Sequence, residues 1–218
     1  MTGEGRGFAR RALVVIAFAV AMAFLESACV AYLQRAIGLV PAHLFPVKDA
    51  SSLGGFAAIE AGRELATLVM LWAIGWLSGS DWLSRLAWTA VAFGTWDIAY
   101  YGWLDLFIGW PRTLGTWDLL FLIPSAWTGP VWSPIAVSIA LIGFGLAIAQ
   151  RDGGRGAARP SGGALLGLLA GGGIVVWAFL WNAPTVMQAG VPSRFPWPVF
   201  VVGMAIGVTA ASRALRKR

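Results

Sequence analysis

The sequence predicts an all-α integral membrane protein: a polytopic bundle of about six transmembrane helices, with an irregular proline-rich segment before the fourth. Composition is the first observation, because 58% of the 218 residues are hydrophobic and only 12% are charged, against about 25% in a soluble domain. The second is that apolar runs of about 20 residues, enough to cross the hydrocarbon core, recur along the chain. The third is the presence of 13 Trp, a residue that favours the membrane interface.

Each predicted span is an apolar segment of roughly membrane-crossing length. The spans are Ala12 to Leu33, Phe56 to Leu77, Leu86 to Ile108, Val131 to Ala149, Ala164 to Trp181 and Val199 to Ala214. The fifth span contains three consecutive glycines that begin at Gly171. Such a run either permits close helix contact or loosens the helix.

Lys and Arg are unequally divided between the two sides of the membrane. With a cytoplasmic N-terminus, eleven lie on the cytoplasmic side and four on the other, as the positive-inside rule requires. The sequence therefore predicts a multi-pass protein of the cytoplasmic (inner) membrane, with both termini in the cytoplasm. This topology explains the net charge of +6. No nucleic-acid partner is predicted, because the chain has no basic stripe with interleaved aromatics.

A Gly- and Arg-rich loop, Arg151 to Gly163, interrupts the spans and is predicted to be a flexible cytoplasmic linker. It divides a single membrane domain, residues 1–218, into a four-helix front part (1–150) and a two-helix back part (164–218). The back part has no ionisable residue in mid-span, so packing and anchorage are its predicted roles.

The segment Asp118 to Pro134 is apolar but contains Pro124, Pro130 and Pro134. Proline removes a backbone donor and breaks a helix. Irregular backbone at membrane depth survives only when it is buried in protein or lines a wet cavity. The segment is therefore predicted to be either a loop that dips into the outer leaflet or an interfacial helix followed by a turn.

Ionisable and tyrosyl residues concentrate in the first three spans, although a charge at the bilayer centre costs about 2.5–3.5 kcal/mol. Their positions along the spans place the charged residues in the outer half of the membrane, and helical periodicity gives each span one polar face. Consecutive spans tend to be neighbours, so these faces should meet. The predicted ligand or ion cluster is Glu26, Glu60, Arg63, Glu64, Asp97, Tyr100, Tyr101 and Asp105.

Within this cluster, acidic residues outnumber basic ones. Glu26, Glu60, Glu64 and Asp97 could carry four negative charges, against one positive charge on Arg63. Surplus carboxylates in low dielectric are protonated, bind a cation or are reached by water. The structural alternative is a buried ion-pair network in which Arg63 bridges two carboxylates, and a further alternative is an outward-facing catalytic or ligand pocket.

His43, the single histidine, lies in the loop Pro41 to Pro46. It is predicted to be either an exposed loop residue or a lid over the cluster. If a metal binds, an oxygen-rich site of this kind suits a hard divalent ion such as manganese, iron, magnesium or calcium. The candidate metal ligands are Glu26, Glu60, Glu64, Asp97 and His43.

The scarcity of histidine and cysteine excludes several familiar centres. One histidine cannot supply two-histidine haem ligation within one chain, or a three-histidine zinc site. The helical di-iron signature requires histidine three residues after glutamate, whereas Arg63 follows Glu60 at that spacing. Cys29 is the single cysteine, so no intrachain disulfide can form, and it is predicted to be a small packing residue.

Three functions are compatible with these patterns. The first is an intramembrane site, open to the outside, that binds a proton, a metal ion or a small polar or lipidic ligand. The second is a non-catalytic structural or assembly subunit of a larger membrane complex, because the chain has no P-loop, Ser-His-Asp set or CxxC pair; enzymatic activity is left open. The third is a small secondary transporter that acts as a dimer. Membrane lipids and a homodimeric or hetero-oligomeric membrane partner are the predicted contacts.

Overall fold

The computed structural model describes residues 3–36, 54–151, 160–188 and 190–216. Long helices predominate in these ranges, and the rest of the regular structure is one short helix and a two-stranded hairpin. In chain order the elements are α1 (Gly3–Ala36), α2 (Gly54–Ser78), α3 (Trp82–Ile108), β1 (Trp117–Phe121), β2 (Trp127–Pro130), α4 (Trp132–Ala149), α5 (Gly162–Leu180), α6 (Ala183–Met187) and α7 (Trp197–Arg216).

The predicted spans fall on the long helices α1 to α5 and on α7. Within the described residues, four helical stretches are long and apolar enough to cross a membrane: Gly5–Arg35, Trp132–Ala149, Gly162–Met187 and Trp197–Arg216. The chain is thus mostly helical, consistent with a helical membrane protein. The helix α2 carries Glu60, Arg63 and Glu64, and these charged residues lower its mean hydropathy. That α2 and α3 also cross the membrane is proposed below.

Local sequence signals set both ends of α3. Its N-cap, Asp81, accepts hydrogen bonds from the backbone N–H groups of Leu83 (2.8 Å) and Ser84 (2.9 Å), which satisfies two otherwise free donors. At the other end Gly109 adopts φ 66°, and its N–H donates to the carbonyl of Asp105. A residue without Cβ adopts this left-handed cap without strain. These caps fix where α3 begins and ends.

The central helix is α3, which packs against α1, α2 and α4. It begins at the same end of the bundle as α1, since the rings of Phe8 and Trp88 lie 5.7 Å apart and Trp103 Nε1 donates to the Val20 carbonyl further along. The helix α2 runs in the opposite direction. The first three helices are therefore neighbours, as the sequence predicts.

Glycines bring two helix pairs into close contact. A Cβ on Gly94 of α3 would lie 2.6 Å from the Ser138 carbonyl oxygen of α4. A Cβ on Gly171 of α5 would lie 2.5 Å from the Gly207 nitrogen of α7. Small residues allow such close approach between helices in lipid. Of the two alternatives for the glycine run, close helix contact is the one found at Gly171.

The proline-rich segment forms an antiparallel hairpin, with Trp117 opposite Pro130 and Asp118 opposite Gly129. The predicted interfacial helix is therefore wrong. The predicted all-α fold is corrected as well, because these residues form two strands. Aromatic residues favour strands, and Pro130 occupies the last position of β2, where a missing ladder donor is tolerated. Pro134 lies in the first turn of α4, where proline does not interrupt the helix.

The hairpin joins the front and back helices. The strand β2 contacts both α4 and α5, and α7 contacts α4 and α5. Aromatic side chains fill the junction: Trp132 stacks on Trp197 with centroids 4.4 Å apart, and Trp127 lies against Phe179. The division into residues 1–150 and 164–218 stays a prediction, and most of the predicted linker, residues 152–159, lies outside the described residues.

Candidate functional site

Arg63 stands at the centre of the polar cluster between α1 and α2. Its guanidinium pairs with the carboxylate of Glu26 in α1 and with Glu60, one turn earlier in α2, at 2.8 Å. Thr67 Oγ1, one turn later, donates to the other oxygen of Glu26 at 2.7 Å. Both oxygens of Glu26 therefore have partners on α2, and the polar stripe of α2 faces α1 as its periodicity predicts.

Glu64 faces the hairpin instead. Its carboxylate oxygens lie 2.9 and 3.0 Å from the backbone nitrogen of Leu122, the residue that follows β1. The Leu122 N–H donates to this carboxylate and has no ladder partner in the hairpin. Glu64 is buried. The carboxylate of Glu64 thus accepts the hydrogen bond of a backbone N–H in the proline-rich segment, which explains how irregular backbone is tolerated there.

A second buried carboxyl, Asp118 in β1, faces α3. The hydroxyl of Tyr101 donates to Asp118 Oδ2 at 2.8 Å, and the Leu119 N–H donates to Oδ1 at 2.8 Å. Burial raises the pKa of the Asp118 carboxyl to about 6, while the hydrogen bonds from Tyr101 and Leu119 oppose that rise. The hairpin is therefore fixed to α2 through Glu64 and to α3 through Tyr101.

The other predicted residues of α3 occupy three different environments. Asp97 is buried and accepts a hydrogen bond from Ser138 Oγ of α4 at 2.8 Å. The Tyr100 carbonyl accepts from Ser27 Oγ of α1 at 3.1 Å. Asp105 is exposed, because it lies eight residues after Asp97 and so about 80° around the helix. The structure thus divides the predicted single cluster into separate groups and leaves Asp105 outside them.

The buried carboxylates outnumber the positive charge that pairs with them. Glu26, Glu64, Asp97 and Asp118 are each at most 7% exposed. Arg63 pairs with Glu26 and with the half-buried Glu60. The other three accept from N–H or hydroxyl groups. Four acidic side chains are therefore buried, and this set includes Asp118, which was not part of the predicted cluster, in place of the half-buried Glu60.

Across the described ranges, no group of three or more His, Cys, Asp or Glu side chains is placed to hold one metal ion. Glu26 and Glu60 face Arg63, whereas Glu64 and Asp97 face different elements. His43 and its loop lie outside the described residues, so the predicted lid stays a prediction. Cys29 is exposed rather than packed.

Sequence reasoning missed several partners of the cluster. Ser27 and Ser138 are small hydroxyl residues within apolar helices, and such residues hydrogen-bond between helices in membranes. That signal could have identified them. Asp118 could have been found as the one acid in the apolar segment Asp118 to Pro134. The Leu122 N–H has no sequence signature, since any residue but proline supplies one.

We expect Tyr101→Phe to destabilise the protein by about 1–3 kcal/mol by removing a buried donor. The folded-state pKa of Asp118 lies above its ordinary value. Asp118 therefore contributes stability that is full below about pH 4 and is lost as pH rises through about 6. Tyr101→Phe should therefore lower the free energy of unfolding more above about pH 6 than below it, because an ionised Asp118 then loses a hydrogen-bond donor. Thermal unfolding in detergent on either side of about pH 6 measures this.

Tyr32→Phe is the matched control, because Tyr32 is exposed and its replacement should change the unfolding temperature little at any pH. An equal loss of stability for Tyr101→Phe below and above the titration of Asp118 would contradict the expected coupling.

No protein-family model, curated protein or solved structure matches this chain.

Proposed function

We propose that this protein crosses the cytoplasmic (inner) membrane six times, with both termini in the cytoplasm, and that its outward-facing half contains a proton-binding carboxylate site. The topology rests on the predicted spans, which fall on long helices, and on the eleven-to-four distribution of Lys and Arg. In this orientation the hairpin lies on the outer side, above the cluster around Arg63. The proline-rich segment then enters the outer leaflet, shielded by Glu64 and Tyr101.

The excess of buried carboxyl groups over positive charge is the observation that supports a proton-binding site. Arg63 balances one of the two charges on Glu26 and Glu60, and Glu64 adds a third acidic group on the next residue of the same helix. Several ionised carboxylates cannot be buried together without large desolvation costs. A bound proton removes one such charge without requiring the multidentate geometry of a metal site. Glu64 is the residue to which we assign this proton.

Exposure decreases from Glu60 to Glu64 along α2. The side chains of Arg63 and Glu60 are each 24% exposed, whereas that of Glu26 is 6% exposed. Glu64 as a residue is 5% exposed. Glu60 is thus the partly exposed carboxyl of α2, and Glu64 is the buried one to which the proton is assigned.

Infrared spectroscopy of the purified protein tests this proposal, because a protonated carboxyl has a C=O band that an ionised carboxylate lacks. We expect such a band near neutral pH, and we expect Glu64→Gln to remove part of it. Asp105→Asn is the control, because Asp105 is exposed and lies outside the buried carboxyl groups, so its replacement should leave the band unchanged. A wild-type protein without the band, or a band that Glu64→Gln leaves unchanged, would refute the proton assignment.

A structural role in a larger membrane complex is the second candidate. It is favoured by one observation: the oxygens of Glu26 and Glu64 already have partners within the chain. Native mass measurement after detergent extraction separates the two functions. A stable hetero-complex would support this role, and a lone chain or homodimer would argue against it.

A further inference from the structure

An apolar groove separates the α3–α4 pair from the α5–α7 pair. It has a volume of about 360 Å³, within the range of roughly 300–1,000 Å³ typical of ligand sites. All four helices supply its walls, among them Leu86, Leu141, Phe144, Leu168 and Val208. The groove covers the start of α3 and the end of α4, so it lies in the half of the bundle away from the hairpin.

Among the described residues that line the groove, Arg151 is the one with a charged side chain. Arg151 follows α4, is exposed, and donates through Nη1 to the carbonyl of Leu215 in the last turn of α7 at 2.8 Å. A guanidinium has five N–H donors, so donors remain for a second partner. The groove is therefore apolar along its length and cationic at one end.

We propose that this groove binds an acyl chain of an anionic phospholipid, with the lipid phosphate paired to Arg151. Apolar walls favour the hydrocarbon chain, and each buried methylene adds to binding. A guanidinium forms strong charge-assisted hydrogen bonds to phosphate. The lipid would lie between the two helix pairs and contact both, and this proposal does not depend on the carboxylate site.

Charge complementarity favours a phospholipid over a second copy of the chain. A second copy in the same membrane orientation would bring its own Arg151 to the same level as this one. Arg213 and Arg216 lie in the last turn of α7 at the same end, and like charges would then face each other. An anionic headgroup is attracted to this end instead.

Native mass spectrometry in a mild detergent, with equal amounts of phosphatidylglycerol and phosphatidylcholine, tests the groove. Gly172 lines the groove, and a Cβ there would meet nothing within 4 Å, so Gly172→Leu should place its side chain in the groove. Gly173 is equally open but does not line the groove, which makes Gly173→Leu the matched control. We expect tightly bound phosphatidylglycerol on the wild type and on Gly173→Leu, and its loss from Gly172→Leu.

Arg151→Gln tests the headgroup contact. It should retain a lipid but reduce the preference for phosphatidylglycerol over phosphatidylcholine about fivefold, the contribution of one basic residue near an anionic headgroup. Arg112→Gln, an exposed residue that does not line the groove, should leave the preference unchanged. Three results would overturn the proposal: no lipid preference in the wild type, equal lipid on the two leucine variants, or a Gly172→Leu effect on oligomeric mass instead of bound lipid.

Discussion

Replacing Arg63 with Gln should destabilise the protein by about 3–5 kcal/mol, the cost of removing one partner from a buried ion pair. Glu26 is 7% exposed and would retain only Thr67 of its two described α2 partners. Glu60 would lose its partner at the same time. Because this one change removes the positive charge that pairs with two carboxyl groups, the effect should exceed that of any other single change in the cluster. Denaturant unfolding in detergent measures it.

Two further variants show whether charge is the cause. Arg112→Gln removes an exposed arginine and should change stability by no more than about 0.5 kcal/mol. Glu26→Gln combined with Arg63→Gln removes both members of the pair and should recover much of the loss, as a coupled pair does in a double-mutant cycle. An Arg63→Gln protein as stable as Arg112→Gln would mean that Glu26 is neutral without its partner.

The helices could be predicted from the sequence because their signals are local. Apolar length located them. The carboxylate of Asp81 caps the start of α3, and Gly109, which has no Cβ, adopts the left-handed conformation at its end. The hairpin could not be predicted, because its stabilising contacts come from distant residues. Glu64 reaches Leu122 across 58 positions, and Phe195 packs against Trp117 from the back part. The secondary-structure propensity of residues 117–130 gives no information about these contacts.

Part of the site could be predicted, because some of its contacts follow from helical spacing and others join distant elements. The spacing of Glu60, Arg63 and Thr67 places them on one face of α2, and they meet Glu26 as neighbouring helices should. Asp97 pairs with α4 rather than with the first two helices, because Gly94 allows α4 to approach α3 closely one turn away. The sequence shows a serine at 138 and a glycine at 94, but it does not show that they face each other.

Gly94→Val should therefore destabilise the contact between α3 and α4, by about 3 kcal/mol or more, at the upper end of overpacking effects. The added Cβ would lie 2.6 Å from a backbone oxygen of α4, and no side-chain rotation can relieve that contact. The helices would have to separate, which would lengthen the hydrogen bond from Ser138 to Asp97 three residues further along α3. Gly94→Ala should show most of the same loss, since the Cβ alone makes the clash.

Gly102→Val on the same helix provides the control, because a Cβ there meets nothing within 4 Å. Valine has a higher helix propensity than glycine, so this variant should be neutral or slightly more stable in the same unfolding measurement. The contrast between the two valines isolates helix separation from helix propensity, since the substitution is identical. If Gly94→Val unfolds at the same denaturant concentration as Gly102→Val, α4 does not approach α3 as closely as the structure places it. The buried pair of Asp97 with Ser138 would then lose its structural basis as well.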